Sequence, residues 1–511
     1  MTPRYNPAVI IPMAGHSSRF FNSGFDTYKA FLKIAGKTML EGVIEPFGQN
    51  VDIFIITTKE LVAENTQIFS AMPHNYTVIT IEKHKLGPAH SIYLANDLIP
   101  KNRPYFIAYC DVWWRMEGFH VSNFNGIDAA ILTHEGFHPH LVADNFSAFC
   151  CAEEKNLNHL KKIKEKGSFT NDWMNEALSI GVFYCRDATL MLNAIAELIE
   201  SKEKVADEFY PSMIYNLLVD RGINVSLFNV DSFVHLGLPQ HFNDIQSWSS
   251  YINKTDNILE TSSPLNCVLL GGKGSRMRNI SPLPKHLLPL ADTTMLEHVL
   301  KKMNCVDNIL ICAPDTQLPL GLSEKVSVKE LDENTSSHLE TMELALGFLP
   351  IDSPVLFSSC DCFADIDWIN LETIASASKS DCIVFSFSKS LLNSKMLGQH
   401  TTMKIIDGSV VDVDIKDKTK HYDSCLAGFF WFRNKEIVSN GILKLRYADE
   451  KIELLVDHLI QSLSKSEKKP QCIELHSYIH VGTPEEYKEY LYWNTRAKPL
   501  ISLLRVEGAD V

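Results

Sequence analysis

The chain has no run approaching eighteen apolar residues, so no stretch reads as a membrane-spanning helix. Its start, MTPRYNPAVIIPMAG, carries only a short apolar run ending at glycine; a buried strand fits it better than a signal peptide, and a cytoplasmic protein is expected. Positive charge is in deficit, with 48 Lys and Arg against 62 Asp and Glu and a net charge of −14. That argues against nucleic-acid or membrane partners, so any phosphate ligand must be held by a few placed groups. The twelve cysteines include no CxxC pair and sit in strand-like runs such as VLFSSCDCF and SAFCCAEE, which predicts buried free thiols rather than disulfides or metal ligands. No glycine- or proline-rich tract suggests disorder.

What is present is one pattern, run twice. At 511 residues the chain is too long for one ordinary core. The strand-like AVIIPMAG, VDIFIITT, YTVITIEK and YFIAYCD alternate with the helix-period KTMLEGVIEPFG and PAHSIYLANDLI. This β-α-β order predicts an α/β fold with a mostly parallel mixed sheet flanked by helices. The order restarts at Asn266 with NCVLLGG, TTMLEHVLKKM, NILICAP, VSVKEL, SSHLETMELALGFL and PVLFSSCD. Landmarks keep step: Arg19 with Arg276, Lys29 with Lys285, Asp111 with Asp361, Lys166 with Lys418 and His235 with His480, at offsets that drift only between 257 and 245. The expected domains are residues 1–252 and 265–511, joined by a polar linker at 253–264.

Each copy follows its first strand with a small-residue loop, AGHSSR in the first and GGKGSR in the second. Glycine lets backbone N–H groups approach phosphate oxygens, and an arginine followed by a lysine nine or ten residues on adds positive charge. The loop is neither GxGxxG nor GxxxxGK[ST], which takes support from the dinucleotide and P-loop readings.

GGKGSRM, PLPKHLLPL and TTMLEHVL resemble the nucleotidyltransferases that make nucleotide-sugars from a nucleoside triphosphate and a sugar phosphate. VIIPMAGHSSRF and KAFLKIAGKTMLEGVIE resemble the branch found in bacterial capsule and lipooligosaccharide loci. The resemblance covers residues 8–250 and 265–492 and implies two tandem Rossmann-like domains of GT-A type. It further implies that the loops, Ala14, Gly15, Ser17 and Ser18 and then Gly271, Gly272, Gly274 and Ser275, wrap the triphosphate. Arg19, Lys29, Arg276 and Lys285 would be the catalytic cations, although Tyr28 stands where the family has proline and Ser17 where it has a second glycine.

Asp111 and Asp361 follow buried strands, where ligand crevices form, and the resemblance makes them the Mg²⁺ ligands; an aspartate capping the next turn is the plainer alternative. Where the family often has a second metal aspartate the chain has His235 and His480, a poor match for a hard cation. Either one aspartate suffices, or metal use has changed, or these histidines only pack. Gly87 and Ala89 lie at the expected base-binding turn; in the second copy Ser336 and Ser337 take that place. Lys166, Glu208 and Lys418 fall in the acceptor region. Trp113 and Trp114 could stack on a base, line the acceptor pocket, hold a quaternary ammonium or simply pack.

The leading expectation is therefore a Mg²⁺-dependent nucleotidyltransferase joining a nucleoside triphosphate, CTP before others, to a sugar or alcohol phosphate for surface polysaccharide synthesis. The tail WNTRAKPLISLLRVEGADV is available for packing or for contact in a homodimer. Two alternatives stay open: one half is a non-catalytic nucleotide-binding or dimerisation module, or the chain is a glycosyltransferase. The last calls for Asp-x-Asp at the strand end, which DVW and DCF do not supply.

Overall fold

In the computed structural model, described for residues 7–71, 75–143, 150–156, 158–253, 263–272, 274–322, 326–378, 380–388, 400–415, 422–448, 455–475 and 477–502, the chain forms two compact units. The first comprises Met1–Lys254 together with Tyr492–Val511, the second Thr255–Leu491. The sequence pattern predicts 265–511 as one domain. Instead Trp493, Ala497 and Ile501 are buried in the first unit, because the last turns present aromatic and aliphatic side chains to it. Most of the expected linker lies outside the described residues.

The first unit is built on β1 (Ala8–Pro12), β2 (Ile53–Thr58), β3 (Tyr76–Ile81), β4 (Tyr105–Ala108), β5 (Val112–Arg115), β6 (Ala129–His134), β7 (Cys150–Asn156), β8 (His159–Glu165), β9 (Ala177–Cys185), β10 (Val225–Asn229) and β11 (Ser232–His235). Nine of these form one sheet in the order β3-β2-β1-β4-β9-β6-β10-β8-β7, while β11 and β5 pair separately. The strands from β3 to β4 run parallel, and β9 enters antiparallel between β4 and β6. Strand β1 is buried along its whole length, as its continuous apolar run requires of a strand covered on both faces. Helices α1 (Ser18–Asn22), α2 (Pro88–Leu94) and α3 (Pro239–Asn253) carry the segments that matter for the site.

The second unit repeats the plan with β12 (Leu265–Leu270), β13 (Asn308–Cys312), β14 (Val326–Glu330), β15 (Val355–Ser359), β16 (Cys362–Ala364), β17 (Cys382–Ser388), β18 (Thr402–Ile406), β19 (Ser409–Asp414), β20 (Ser424–Phe432), β21 (Gln471–Glu474) and β22 (Tyr478–His480). Its sheet order is β14-β13-β12-β15-β20-β17-β21-β19-β18, strand for strand the order of the first unit, with β22 and β16 paired apart. Helices α4 (His338–Ala345) and α5 (Pro484–Leu491) correspond to α2 and α3. The repeat extends to local chemistry. Thr38-Met-Leu-Glu41 and Thr294-Met-Leu-Glu297 each open a helix with a reciprocal capping box, two otherwise unpaired N–H groups being satisfied by one Thr–Glu pair.

The cysteines with described side chains are free thiols, all but Cys472 buried. Among the described residues no helix is long and apolar enough to cross a membrane.

Candidate active site

In each unit the loop after the first strand, the segment after the fourth and the short paired strands converge at the carboxyl edge of the sheet, where crossover connections leave a crevice. Ser17 has φ 49° and ψ 25°, Gly274 φ 57° and ψ 29°. The loops therefore share one left-handed turn, and serine occupies it despite its Cβ. The Ser17 side chain points back to the protein, its Oγ accepting from Lys29 N at 3.2 Å. The Tyr28 hydroxyl lies 2.9 Å from Met13 O and 2.7 Å from Gly15 O, its single proton shared by two loop carbonyls. Tyrosine in the proline's place thus ties down the loop. At Gly15 and Gly272 an added Cβ would meet nothing within 4 Å, so both loops face open space.

In each unit the lysine and the aspartate of the matched landmarks meet. Lys29 Nζ is 2.7 Å from Asp111 Oδ2, and Lys285 Nζ pairs with Asp361 Oδ2. Burial alone would lower each lysine's pKa, but the facing aspartate outweighs it and holds the ammonium above its ordinary range. Burial likewise would raise the aspartates, yet Lys29 and His235, or Lys285 and His480, hold them below the usual carboxylate range. Ser359 Oγ also donates to Asp361 Oδ1.

His235 and His480, left open by the sequence, both stand beside these aspartates. The pairing of β11 with β5 sets His235 opposite Val112, and that of β22 with β16 sets His480 opposite Cys362, each one residue past the aspartate. Leu236 N donates to Asp111 O and Val481 N to Asp361 O, at 2.8 and 2.7 Å. His480 Nε2 is 3.6 Å from Asp361 Oδ2 while its Nδ1 is 2.7 Å from Glu486 Oε2. Burial would lower this imidazole, but Glu486 and Asp361 together hold it above its ordinary value. In the first unit the place of Glu486 is taken by His241, whose Nδ1 is 3.1 Å from His235 Nδ1. The glycine two residues on has no room for a side chain: a Cβ at Gly482 would lie 2.5 Å from the His480 ring and 2.6 Å from Asp361 Oδ2, and one at Gly237 2.7 Å from His235 Nε2 and 3.0 Å from Asp111 Oδ2. The glycine of this motif thus fits by the contact of His with Asp.

At the turn expected to bind the base the units differ. Gly87 has φ 89°, and a Cβ there would sit 2.6 Å from Phe209 O, so only glycine lets the acceptor segment close on the turn. Ala89 is fully buried with its N–H given to Phe209 O at 3.1 Å, so its groups are turned to the protein rather than to a ligand. In the second unit Ser337 has extended angles and accepts from Glu340 N, a plain N-cap. Burial lowers the pKa of His338, at the head of α4, while Asp361 pulls it up and Lys285 down. On the first loop His16 is held below its ordinary pKa by burial and then by Lys83 and Lys85. Those lysines belong to EKHK, whereas the second copy reads DENT. The rim of the first crevice is basic and that of the second is not. None of His338, His16, Lys83, Lys85 and Glu486 stands out in the sequence; only the mismatch of the two copies could have pointed to them.

In the segment expected to meet the acceptor, Lys166 adopts φ 52° and places Nζ 5.0 Å from the centre of the Tyr210 ring. The Tyr210 hydroxyl donates to Glu208 Oε2 at 2.5 Å. Burial raises the Tyr210 pKa, Glu208 and Glu165 raise it further and Arg19, exposed on α1, lowers it. Arg276 and Ser275 are exposed on the matching turn. Lys418 lies outside the described residues. Trp113 and Trp114 are each 1% exposed, with Trp113 Nε1 donating to Met39 O at 2.8 Å, so they are core residues and stack on no ligand. Among the described residues no group of three or more His, Cys, Asp or Glu is arranged to hold a metal.

The family described as MobA-like NTP transferase domain matches the chain twice, at residues 9–167 and 266–405, together more than half its length. Among solved structures the chain is similar to a nucleoside-diphosphate-sugar pyrophosphorylase from Vibrio cholerae, at 18% identity over 46% of this chain and 98% of that one, TM-score 0.39. It is also similar to an inositol-1-phosphate CTP transferase from T. maritima, at 13% identity over 49% and 100%, TM-score 0.36. No curated protein matches it. With the family matched at the same stretch of both halves, the chain belongs to the MobA-like NTP transferase family and is a nucleotidyltransferase carrying two such domains.

Proposed function

We propose that both units transfer a nucleotidyl group from a nucleoside triphosphate to a sugar phosphate or alcohol phosphate, releasing pyrophosphate, in the supply of surface-polysaccharide precursors. The observation that carries this reading is the buried lysine–aspartate pair beside an open left-handed loop, present in both units. An acceptor phosphate oxygen attacks the α-phosphorus; a new P–O bond forms as the bond to the β-phosphate oxygen breaks, and pyrophosphate leaves. Little covalent help is needed, so positioning and charge do the work. The loop at 14–18 or 271–275 takes the triphosphate, with Arg19 or Arg276 and Lys29 or Lys285 countering charge that builds up in the transition state. In the first unit Lys166 meets the acceptor phosphate and Glu208 its hydroxyls or amine.

Asp111 and Asp361 fit Mg²⁺ as single carboxylates, because this ion prefers oxygen and keeps several waters beside phosphate ligands. Asp111 or Asp361 would hold such an ion, whose chemistry would be to supply positive charge beside the phosphates. His480 is held toward its protonated form by Glu486, which suits it to fix Asp361 rather than to ligate.

The first unit is not a decayed copy on this reading, since Ser17 keeps the turn of Gly274 and Tyr28 ties down its loop. The unlike rims favour different substrates for the two units, with CTP the first triphosphate to try. The test is pyrophosphate release from CTP, UTP, GTP, dTTP and ATP against a panel of sugar and alcohol phosphates, with and without Mg²⁺. Release from no pair would overturn the reading.

A further inference from the structure

We infer that the last described turns of the chain, Tyr492 and Trp493, are positioning residues for the first unit's site, holding His235 against Asp111; this rests on the functional reading above. After completing the second unit the chain joins the first at Tyr492. The Tyr492 hydroxyl donates to Phe233 O at 2.8 Å and lies 3.3 Å from Phe233 N, from which it accepts. One side chain thus meets both backbone groups of a residue on β11, two positions before His235. Among the described strands β11 pairs only with β5, and as most of β11 is buried its other edge needs partners. Tyr492 and His138, whose Nε2 is 3.1 Å from Phe233 O, fill that need.

Trp493 reaches His235 through a line of histidine rings. It is fully buried, its ring 5.0 Å from that of His140. His140 stacks on His241 at 4.0 Å with the planes 4° apart, and His140 Nε2 is 2.9 Å from Asp244 Oδ2 on α3. His241 in turn meets His235 Nδ1. The line from Trp493 through His140 and His241 to His235 therefore ends at the aspartate.

The second unit shows why such a support is needed. There Glu486 holds the histidine by a charge-assisted bond, strong and directional on its own. In the first unit an imidazole replaces that carboxylate, and a stack of rings fixes it instead. The substitution of Glu486 by His241 and the return of the chain end are two halves of one arrangement.

Tyr492→Phe in the full chain keeps the ring and deletes both hydrogen bonds. With Asp361→Asn silencing the second unit, kcat for the first is expected to fall about tenfold while KM for the triphosphate changes less than about twofold. With Asp111→Asn instead, Tyr492→Phe should leave the second unit's kcat within about twofold. A residue that only stabilises the fold would lower Tm and leave kcat per folded molecule unchanged. A second readout needs no turnover: in protein labelled with ¹⁵N-histidine, Tyr492→Phe should shift the His235 and His241 ring signals and leave His480 in place. Unchanged first-unit kcat, equal losses in both units, or unmoved His235 signals would each overturn the inference. If neither unit releases pyrophosphate from any substrate pair, the functional reading falls and the ring signals alone decide.

Discussion

Ser17 and Gly274 stand at the same point of two loops with backbone angles that differ by less than ten degrees. A left-handed serine costs about 1–2 kcal/mol relative to its preferred conformations, and the bond from Lys29 N to Ser17 Oγ returns about 1 kcal/mol of that. Exchange in either direction should be mild. Gly274→Ser is expected to keep second-unit turnover within about threefold. Gly274→Val should abolish it, since a branched side chain fits neither the positive φ nor the 3.2 Å gap to Lys285 Cβ. Pyrophosphate release with Asp111→Asn as background measures both.

Lys285→Met removes the cation facing Asp361 and leaves a buried carboxylate short of its main partner. Breaking a buried pair from one side costs about 3–5 kcal/mol, so a large fall in Tm should accompany loss of second-unit activity. Asp361 has a folded-state pKa below its unfolded value. Its contribution to stability is present above about pH 4 and is lost as pH falls through the folded value. In Lys285→Met that loss should move to higher pH, which thermal melts between pH 3 and 8, on the order of one per unit, would reveal.

Acid should act first on the histidine layer of the first unit. Burial lowers the pKa of His134, to about 4, and of His138. A base whose folded pKa is lowered binds its proton more readily in the unfolded chain, so stability falls as pH drops below about 6.5 and goes on falling to the folded value. Each group contributes about 1.4 kcal/mol per pH unit in that window. Burial also pushes Asp244 up to about 7 beside His140. His138→Phe should flatten the pH dependence of Tm; an unchanged slope would show that His138 is not one of the groups responsible.

Gly482→Ala and Gly237→Ala test the contact of histidine with aspartate by sterics alone, because neither glycine has a positive φ. A methyl 2.5 Å from the His480 ring forces that ring or Asp361 to shift. Turnover by the affected unit should fall by about tenfold or more while the other unit is spared. Kinetics of each variant with the opposite aspartate changed to asparagine would measure it.

Much of this arrangement was legible in the residues. The duplication, the mostly parallel sheet and the place of Asp111 and Asp361 at strand ends follow from buried runs and spaced landmarks, because parallel strands bring their following loops to one edge; the strand order and the meeting of Lys29 with Asp111 and Lys285 with Asp361 come from the fold. The partner of each histidine did not follow: His241 and Glu486 lie at the same place in α3 and α5 but differ in type, and only the fold shows them doing one job. Tyr28 looked like a lost proline, and its hydroxyl bonds to Met13 and Gly15 are invisible without coordinates. The return of Tyr492 to the first unit was illegible for the same reason, since a tail of mixed aromatic and polar residues fits many surfaces. Packing, one of the readings the sequence left open for Trp113 and Trp114, is the one the fold shows, since both are buried.

The central claim is that each unit is a working nucleotidyltransferase. The most direct measurement is pyrophosphate release by the full chain and by its Asp111→Asn and Asp361→Asn variants across one panel of triphosphates and acceptor phosphates. Each variant is expected to lose one substrate pair and keep another, so that the two losses add to the whole activity. A single variant that abolishes every activity would contradict the claim and make the other unit a binding module; release by neither unit with any pair would contradict it outright.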